Sequence, residues 1–312
     1  MKNWDDLVES YISHCEQRGL SQSTLKPRER TLQLFGLWIR SKSSKIKVKD
    51  INEKHVIDYL KSRSFGRAKA TVSGNISILK CFGDWLCEVG LWEKNPLKWI
   101  ERPKIDSARQ VPRILNRTQI INTYKETFHH HVNYFACLYP AAFSLLYSTG
   151  MRRGELLSLR IQDWDSNTRT LKVNGAKTGE ERLVPIPKDV SIVFEKYLNA
   201  RSRIVISKHR YSENLVFLNR NAEPLSGNNL LKGIKAASMR AGVPDFKLHA
   251  LRHGCASDLL EAGVHISKVQ SLLGHSCIES TYRYTHIADG ERRKAMNNHP
   301  LNEILNGENS EE

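Results

Sequence analysis

The sequence predicts a mainly α-helical protein with a small β-sheet, and three observations predict it. Apolar side chains recur at helical spacing through the first hundred residues and stop at Gly19 and Gly90. Two short β-like runs, Leu171-Lys172-Val173 and Arg182-Leu183-Val184-Pro185-Ile186, flank NGAKTGEE, which reads as a hairpin with a glycine-bearing loop. Further helical segments close at Gly150, Gly242 and Gly274. The expected organisation is an all-α module over 1–100, a linker over 101–112, an α+β domain over 113–299 and a tail over 300–312.

In chain order, Trp4, Leu7, Val8, Tyr11 and Ile12 predict a helix to about position 18. Ser21 or Ser23 can cap a second helix carrying Leu25, Leu32, Phe35, Leu37, Trp38 and Ile39, with Pro27 near its first turn. A third runs over about 53–63, and a fourth, over about 68–89, buries Ile76, Leu79, Phe82, Trp85 and Leu86. The proline-bearing stretch around 101–112 has no helical period and reads as the linker. His129-His130-His131 reads as a polar helix end or loop, because three adjacent residues cannot share a helix face.

An apolar helix then ends at Thr149-Gly150, and another begins near Met151, burying Leu156, Leu157 and Leu159, with Arg152 and Arg153 in its first turn. A cation at a helix start opposes the macrodipole, so Arg152 either holds an anion or pairs with Glu155 three residues on. Lys177 lies on the hairpin, Leu215 to Leu218 reads as a further strand turning at Asn219-Arg220-Asn221, and Ser226 caps a helix with Leu230, Leu231, Ile234 and Met239. Leu301, Ile304 and Leu305 form an apolar face too short to fold alone.

The formal charge is +15, and the first hundred residues carry 18 Lys and Arg against 11 Asp and Glu. Such a surplus, with Lys42, Lys45, Lys47 and Lys49 in one short stretch, suits a polyanion, most simply nucleic acid, against the alternatives of a solvated loop and a basic enzyme. The six cysteines form no C-x-x-C pair, which suits a reducing compartment. No signal core or membrane-length apolar run occurs, so a cytoplasmic protein without a membrane is expected.

The chemistry concentrates in 247–288. His249, Arg252 and His253 occupy one helical turn, so they can face one site, while Leu251, Cys255 and Leu259 are expected on an opposite, core-facing side. Gly274 reads as a helix end, Ser276 with Glu279 as a capping box, and His275 lies between the two helices, with Tyr282 and Tyr284 on the second. Arginines, imidazoles and a phenol suggest chemistry on a phosphate, and no carboxylate cluster stands nearby to hold a metal. His249 and His253 could instead ligate zinc, but Arg252 beside them would repel the cation.

Taken in order, TGMRRGELLSLR, the lysine hairpin before ERLVPIP, LHALRHG, LLGHS and YRYTH closely resemble the tyrosine recombinases, the phage-integrase family. The resemblance spans essentially the whole chain and includes a helical core-binding module. It implies Arg152, Lys177, His249, Arg252, His275 and Tyr284 as the catalytic set, with the spacing from His275 favouring Tyr284 over Tyr282. It also implies double-stranded DNA as substrate, a covalent 3′-phosphotyrosine, no cofactor, and four protomers exchanging strands on two sites through a Holliday junction. The compact length suits the Xer or simple integrase type. Rival readings are a type IB topoisomerase, a helix-turn-helix regulator and a metal hydrolase.

Overall fold

The computed structural model describes residues 3–43, 46–64, 68–103, 115–175, 181–210 and 214–274. The chain divides into two compact units, Met1–Val111 and Pro112–Glu312. Most of the expected linker, the Ser276–Glu279 capping box and the tail with Leu301, Ile304 and Leu305 lie outside the described residues.

The first unit contains α1 (Trp4–Gln17), α2 (Gln22–Lys42), α3 (Glu53–Ser64) and α4 (Lys69–Glu88). Asn3 opens α1: its side chain accepts from Asp6 N at 2.8 Å while Asp6 accepts from Asn3 N at 3.1 Å. An aromatic core fixes the helices. Trp4 meets Phe35 and Phe82 edge-on at 5.4 and 5.3 Å, and Phe35 meets Tyr59 at 5.0 Å. Trp4 also donates from Nε1 to Leu32 O at 3.0 Å, and it lies so close over Gly36 that a Cβ there would overlap the indole.

Two details of α2 sharpen the sequence reading. Pro27 sits inside the helix, one turn further in than its N-terminal turn. Leu37 is 56% exposed, because Leu32, Phe35 and Ile39 already supply the face turned to the core.

The second unit contains α5 (Arg117–Thr127), α6 (Asn133–Thr149), α7 (Arg153–Ser158), β1 (Trp164–Asp165), β2 (Thr170–Asn174), β3 (Glu181–Pro185), α8 (Lys188–Ser207), α9 (Gly227–Arg240), α10 (His249–Glu261) and α11 (Ile266–Leu273). The strands form one antiparallel sheet in the order β1-β2-β3, with Leu171 opposite Val184 and Asn174 opposite Glu181. Leu171, Val173 and Val184 point into a core shared with Phe143 and Leu146 of α6, Phe194 and Tyr197 of α8, and Leu230 and Ile234 of α9. His129–His131 occupy the turn between α5 and α6, where His130 and His131 stack at 4.5 Å.

The second unit also departs from expectation at several points. Sequence pattern left the twenty-residue α8 unassigned. Val216 to Leu218 are buried and Leu215 is half-buried, but the segment joins no sheet, making only isolated bridges from Leu215 to Arg160 and from Leu218 to Pro224. Side chains take its carbonyls instead: Arg201 Nε donates to Leu215 O at 2.9 Å, Tyr197 to Val216 O at 3.0 Å and Tyr134 to Leu218 O at 2.9 Å. Met239 is 60% exposed, and Leu157 is only partly buried. No described helix is long and apolar enough to cross a membrane.

Candidate functional site

Gly150 ends α6 in the left-handed region at φ 61°, and a Cβ there would overlap the Leu273 side chain. The bare backbone lets the end of α6 approach the end of α11, which stops at Gly274 with φ 67°. A helix C-terminus leaves carbonyls without intrahelical donors, at the negative end of the dipole. Here three successive carbonyls each receive an arginine. Arg182 Nε donates to Leu272 O at 2.9 Å, Arg252 Nη1 to Leu273 O at 2.9 Å, and Arg152 Nη2 to Gly274 O at 3.1 Å. Arg252 Nη1 also donates to Gly150 O at 2.7 Å.

Glu155 ties two of these arginines together. It is 1% exposed and accepts from Arg152 Nη1 at 2.8 Å, from the Arg152 backbone N at 2.9 Å and from Arg182 Nη2 at 2.7 Å. Burial alone would push its carboxyl up, but the bonds from Arg182 and Arg152 hold it below the ordinary carboxylate value. The pair that sequence offered as an alternative to anion binding is therefore present. It leaves the Arg152 side chain 39% exposed and able to meet a ligand.

α10 is not the amphipathic helix expected. Ala250, Leu251, Arg252, Gly254, Cys255, Ala256, Ser257 and Leu260 are all buried, because the helix runs between α6 and α11. Arg252 is only 2% exposed, its charge answered by backbone carbonyls. His249, in the first turn, stays exposed and meets His253 edge-on at 4.6 Å. Partial desolvation, then the charges of Arg252 and Arg152, lower its pKa below the usual imidazole value of 6.5. A neutral imidazole can accept a proton.

His249 and Arg252 border a cavity of about 370 Å³ that Arg153, Lys235, Lys247 and Phe246 also line. Arg153 lies over Gly227 at the start of α9. The geometry thus separates the two neighbouring arginines: Arg152 reaches the Gly274 carbonyl, and Arg153 lines the cavity. Arg152, His249 and Arg252 come together, whereas Lys177, His275, Tyr282 and Tyr284 lie outside the described residues. Sequence reasoning missed Arg182. Its signal was an inverted strand pattern, with Leu183 outward at 72% exposure and Arg182 turned inward beside buried Val184.

A model of the phage integrase family matches residues 108–291. The chain belongs to this family. It is a tyrosine recombinase of Xer-like type, an enzyme that cleaves and rejoins DNA strands at specific sites. It is similar to the tyrosine recombinase XerD of Listeria monocytogenes serotype 4b (strain F2365), at 29% identity over 286 residues, covering 91% of this chain and 94% of that protein. It is 31% identical over 287 residues to the XerD of Lacticaseibacillus casei, with the same coverage of 91% and 94%. Among solved structures, the XerH site-specific recombinase bound to a palindromic difH substrate shares the fold at TM-score 0.72 and 20% identity, over 94% of this chain and 84% of that one. A lambda integrase dimer bound to a COC' core site matches at TM-score 0.68 and 20% identity, over 89% of this chain and 93% of that one.

Proposed function

We propose that Arg152 and Arg252 clamp the nonbridging oxygens of a scissile phosphodiester while Tyr284 attacks the phosphorus. The observation that carries this reading is that the two guanidiniums reach adjacent carbonyls, Gly274 and Leu273, directly before His275. Two cations side by side neutralise the charge that builds on the phosphate oxygens as it becomes pentavalent. The phenol is a weak nucleophile until it loses its proton, with a free pKa of about 10. His249, neutral at physiological pH, takes that proton. Lys177 donates one to the departing 5′ oxygen, and His275 hydrogen-bonds the phosphate. The bond from phosphorus to the 5′ oxygen breaks as the phosphotyrosine forms. A 5′ hydroxyl from the partner strand reverses the step, so no cofactor is consumed.

In this reading 1–100 is a DNA-clamping domain, 101–112 the linker, 113–299 the catalytic domain and 300–312 the tail. Double-stranded DNA is the substrate, and four protomers act on two sites through a Holliday junction in the cytoplasm. A similar lambda integrase is known as a tetramer bound to such a junction, which supports the assembly. The charge of +15 supports the substrate. If six to ten phosphates are neutralised, affinity falls by roughly 10³–10⁵ between 50 and 200 mM salt.

The test is adduct formation on nicked duplex DNA. Tyr284→Phe binds DNA but forms no covalent adduct, while Tyr282→Phe forms it. Lys177→Ala cleaves roughly 10²–10⁴-fold more slowly, and a 5′-bridging sulfur restores most of the loss because a thiolate leaves without a proton. An adduct from Tyr284→Phe refutes the nucleophile, and lack of sulfur rescue refutes the lysine as proton donor.

A further inference from the structure

The sheet sends one charged side chain inward. Arg182 stands on β3 with its side chain only 13% exposed, between α7 and the end of α11. Its Nη2 and Nε serve two elements at once, Glu155 at 2.7 Å and the Leu272 carbonyl at 2.9 Å. The planar fork makes this double contact possible, because a guanidinium presents donors in fixed, divergent directions. The third nitrogen lies against Gly274, where a Cβ would come within 2.8 Å of Nη1. Gly274 is thus confined to glycine both by its positive φ and by the guanidinium above it.

Glu155 in turn holds Arg152 by side chain and backbone, and Arg152 reaches the Gly274 carbonyl. The result is a closed ring of contacts through Arg182, Glu155, Arg152 and the Leu272–Gly274 turn. We propose that Arg182 is a positioning residue for strand cleavage, fixing Arg152 against the end of α11 and thereby setting the clamp relative to His275, the next residue. The inference rests on Arg152 acting as the phosphate clamp. Arg182 itself touches no substrate. It locks the orientation of a group that does, through Glu155 on one side and the helix end on the other. In the sequence, Arg182 follows Lys177, the proposed proton donor, by five residues.

The experiment compares wild type, Arg182→Lys, Arg182→Gln, Glu155→Gln and the Arg182→Gln/Glu155→Gln double variant as full chains. The probe is a nicked duplex carrying a site selected from random-sequence DNA by capture of the wild-type covalent adduct. DNA affinity and the single-turnover cleavage rate at saturating DNA are measured separately, with thermal melting alongside. Arg182→Gln should slow cleavage about 10- to 100-fold, the scale of a small misplacement of a reacting group, with affinity within about twofold of wild type. Arg182→Lys keeps the charge on Glu155 but cannot also hold Leu272, so it should recover only part of the rate. The double variant should lose less than the product of the two single losses, because both act through one contact. Wild-type cleavage by both Arg182 variants, or a rate loss matched by equal losses of affinity and melting temperature, overturns the proposal. If Arg182→Gln does not fold, Arg182→Lys decides alone: slower cleavage at unchanged affinity supports the role, and an unchanged rate refutes it. A wild type that forms no adduct refutes the clamp reading and this inference with it. A competent wild type with unaffected variants refutes only Arg182.

Discussion

The two units keep their interiors in different ways. Among the described residues, the first unit buries Trp4, Phe35, Tyr59, Phe82 and Trp85 and only one residue, Thr31, whose side chain is polar in the stricter sense of carrying no aromatic or sulfur group. The second buries Glu155, Asp163, Arg201 and Arg252 as well as its aromatic residues. In the first, close apolar contact holds the helices, and any face of the right size and period will serve. In the second, carbonyls and Glu155 answer the buried arginines while arginines and backbone N–H groups answer the buried acids, so under the proposed function stability and chemistry share the same bonds.

That contrast is sharpest where one side chain is removed from each. Phe35→Ala in the first unit leaves a cavity among Trp4, Trp38 and Tyr59 and should cost about 3–5 kcal/mol in urea unfolding. The contrast fails if the loss is below that of an exposed substitution. Arg252→Met retains most of the side-chain volume but leaves the Gly150 and Leu273 carbonyls without this donor, at about 1–3 kcal/mol. The same change should slow cleavage roughly 10²–10³-fold, as loss of one transition-state donor does. Stability and cleavage both at wild-type level would break the link between buried charge and chemistry.

The smallest expected effect is a titration. The lowered pKa of His249 means that the folded chain takes up its proton at lower pH than the unfolded chain does. Stability associated with the neutral ring is therefore present above the unfolded value near 6.5 and is lost as pH falls below it. The His249 ring should titrate below 6.5 by NMR in Tyr284→Phe, where no chemistry intervenes. A value at or above 6.5 would mean that neither burial nor the charges of Arg252 and Arg152 govern the ring.

What sequence made legible follows the same division. In the first unit the period of Leu7, Tyr11, Phe35 and Phe82 is the packing, so the helices could be read directly. In the second unit the glycines at 150 and 274 marked helix ends correctly, because the left-handed backbone is a local need. The amphipathic reading of α10 failed, since a helix buried on nearly every side has no polar face to find. Leu215 to Leu218 looked like a strand because it is apolar and short, while its true partners, Tyr134, Tyr197 and Arg201, are distant in the chain. Order and spacing singled out Arg152, His249 and Arg252, which the structure brings together. Arg182 was not singled out, because its two contacts lie with residues 27 and 90 positions away.

Those separations also order events in time. Arg152 is made 122 residues before Gly274, which at about 5–20 residues per second is about 6–24 s of synthesis. Throughout that interval its nearby partner is Glu155, three residues on. Arg182 follows 27 residues after Glu155, within about 1–5 s at the same rate. A growing chain can therefore build the acid–arginine half of the ring early, while the α11 carbonyls and Tyr284 are still unmade. The nascent chain thus has Glu155 beside Arg152 and Arg182 before it has Tyr284, the nucleophile proposed above, so on that reading no cut can precede synthesis of residue 284.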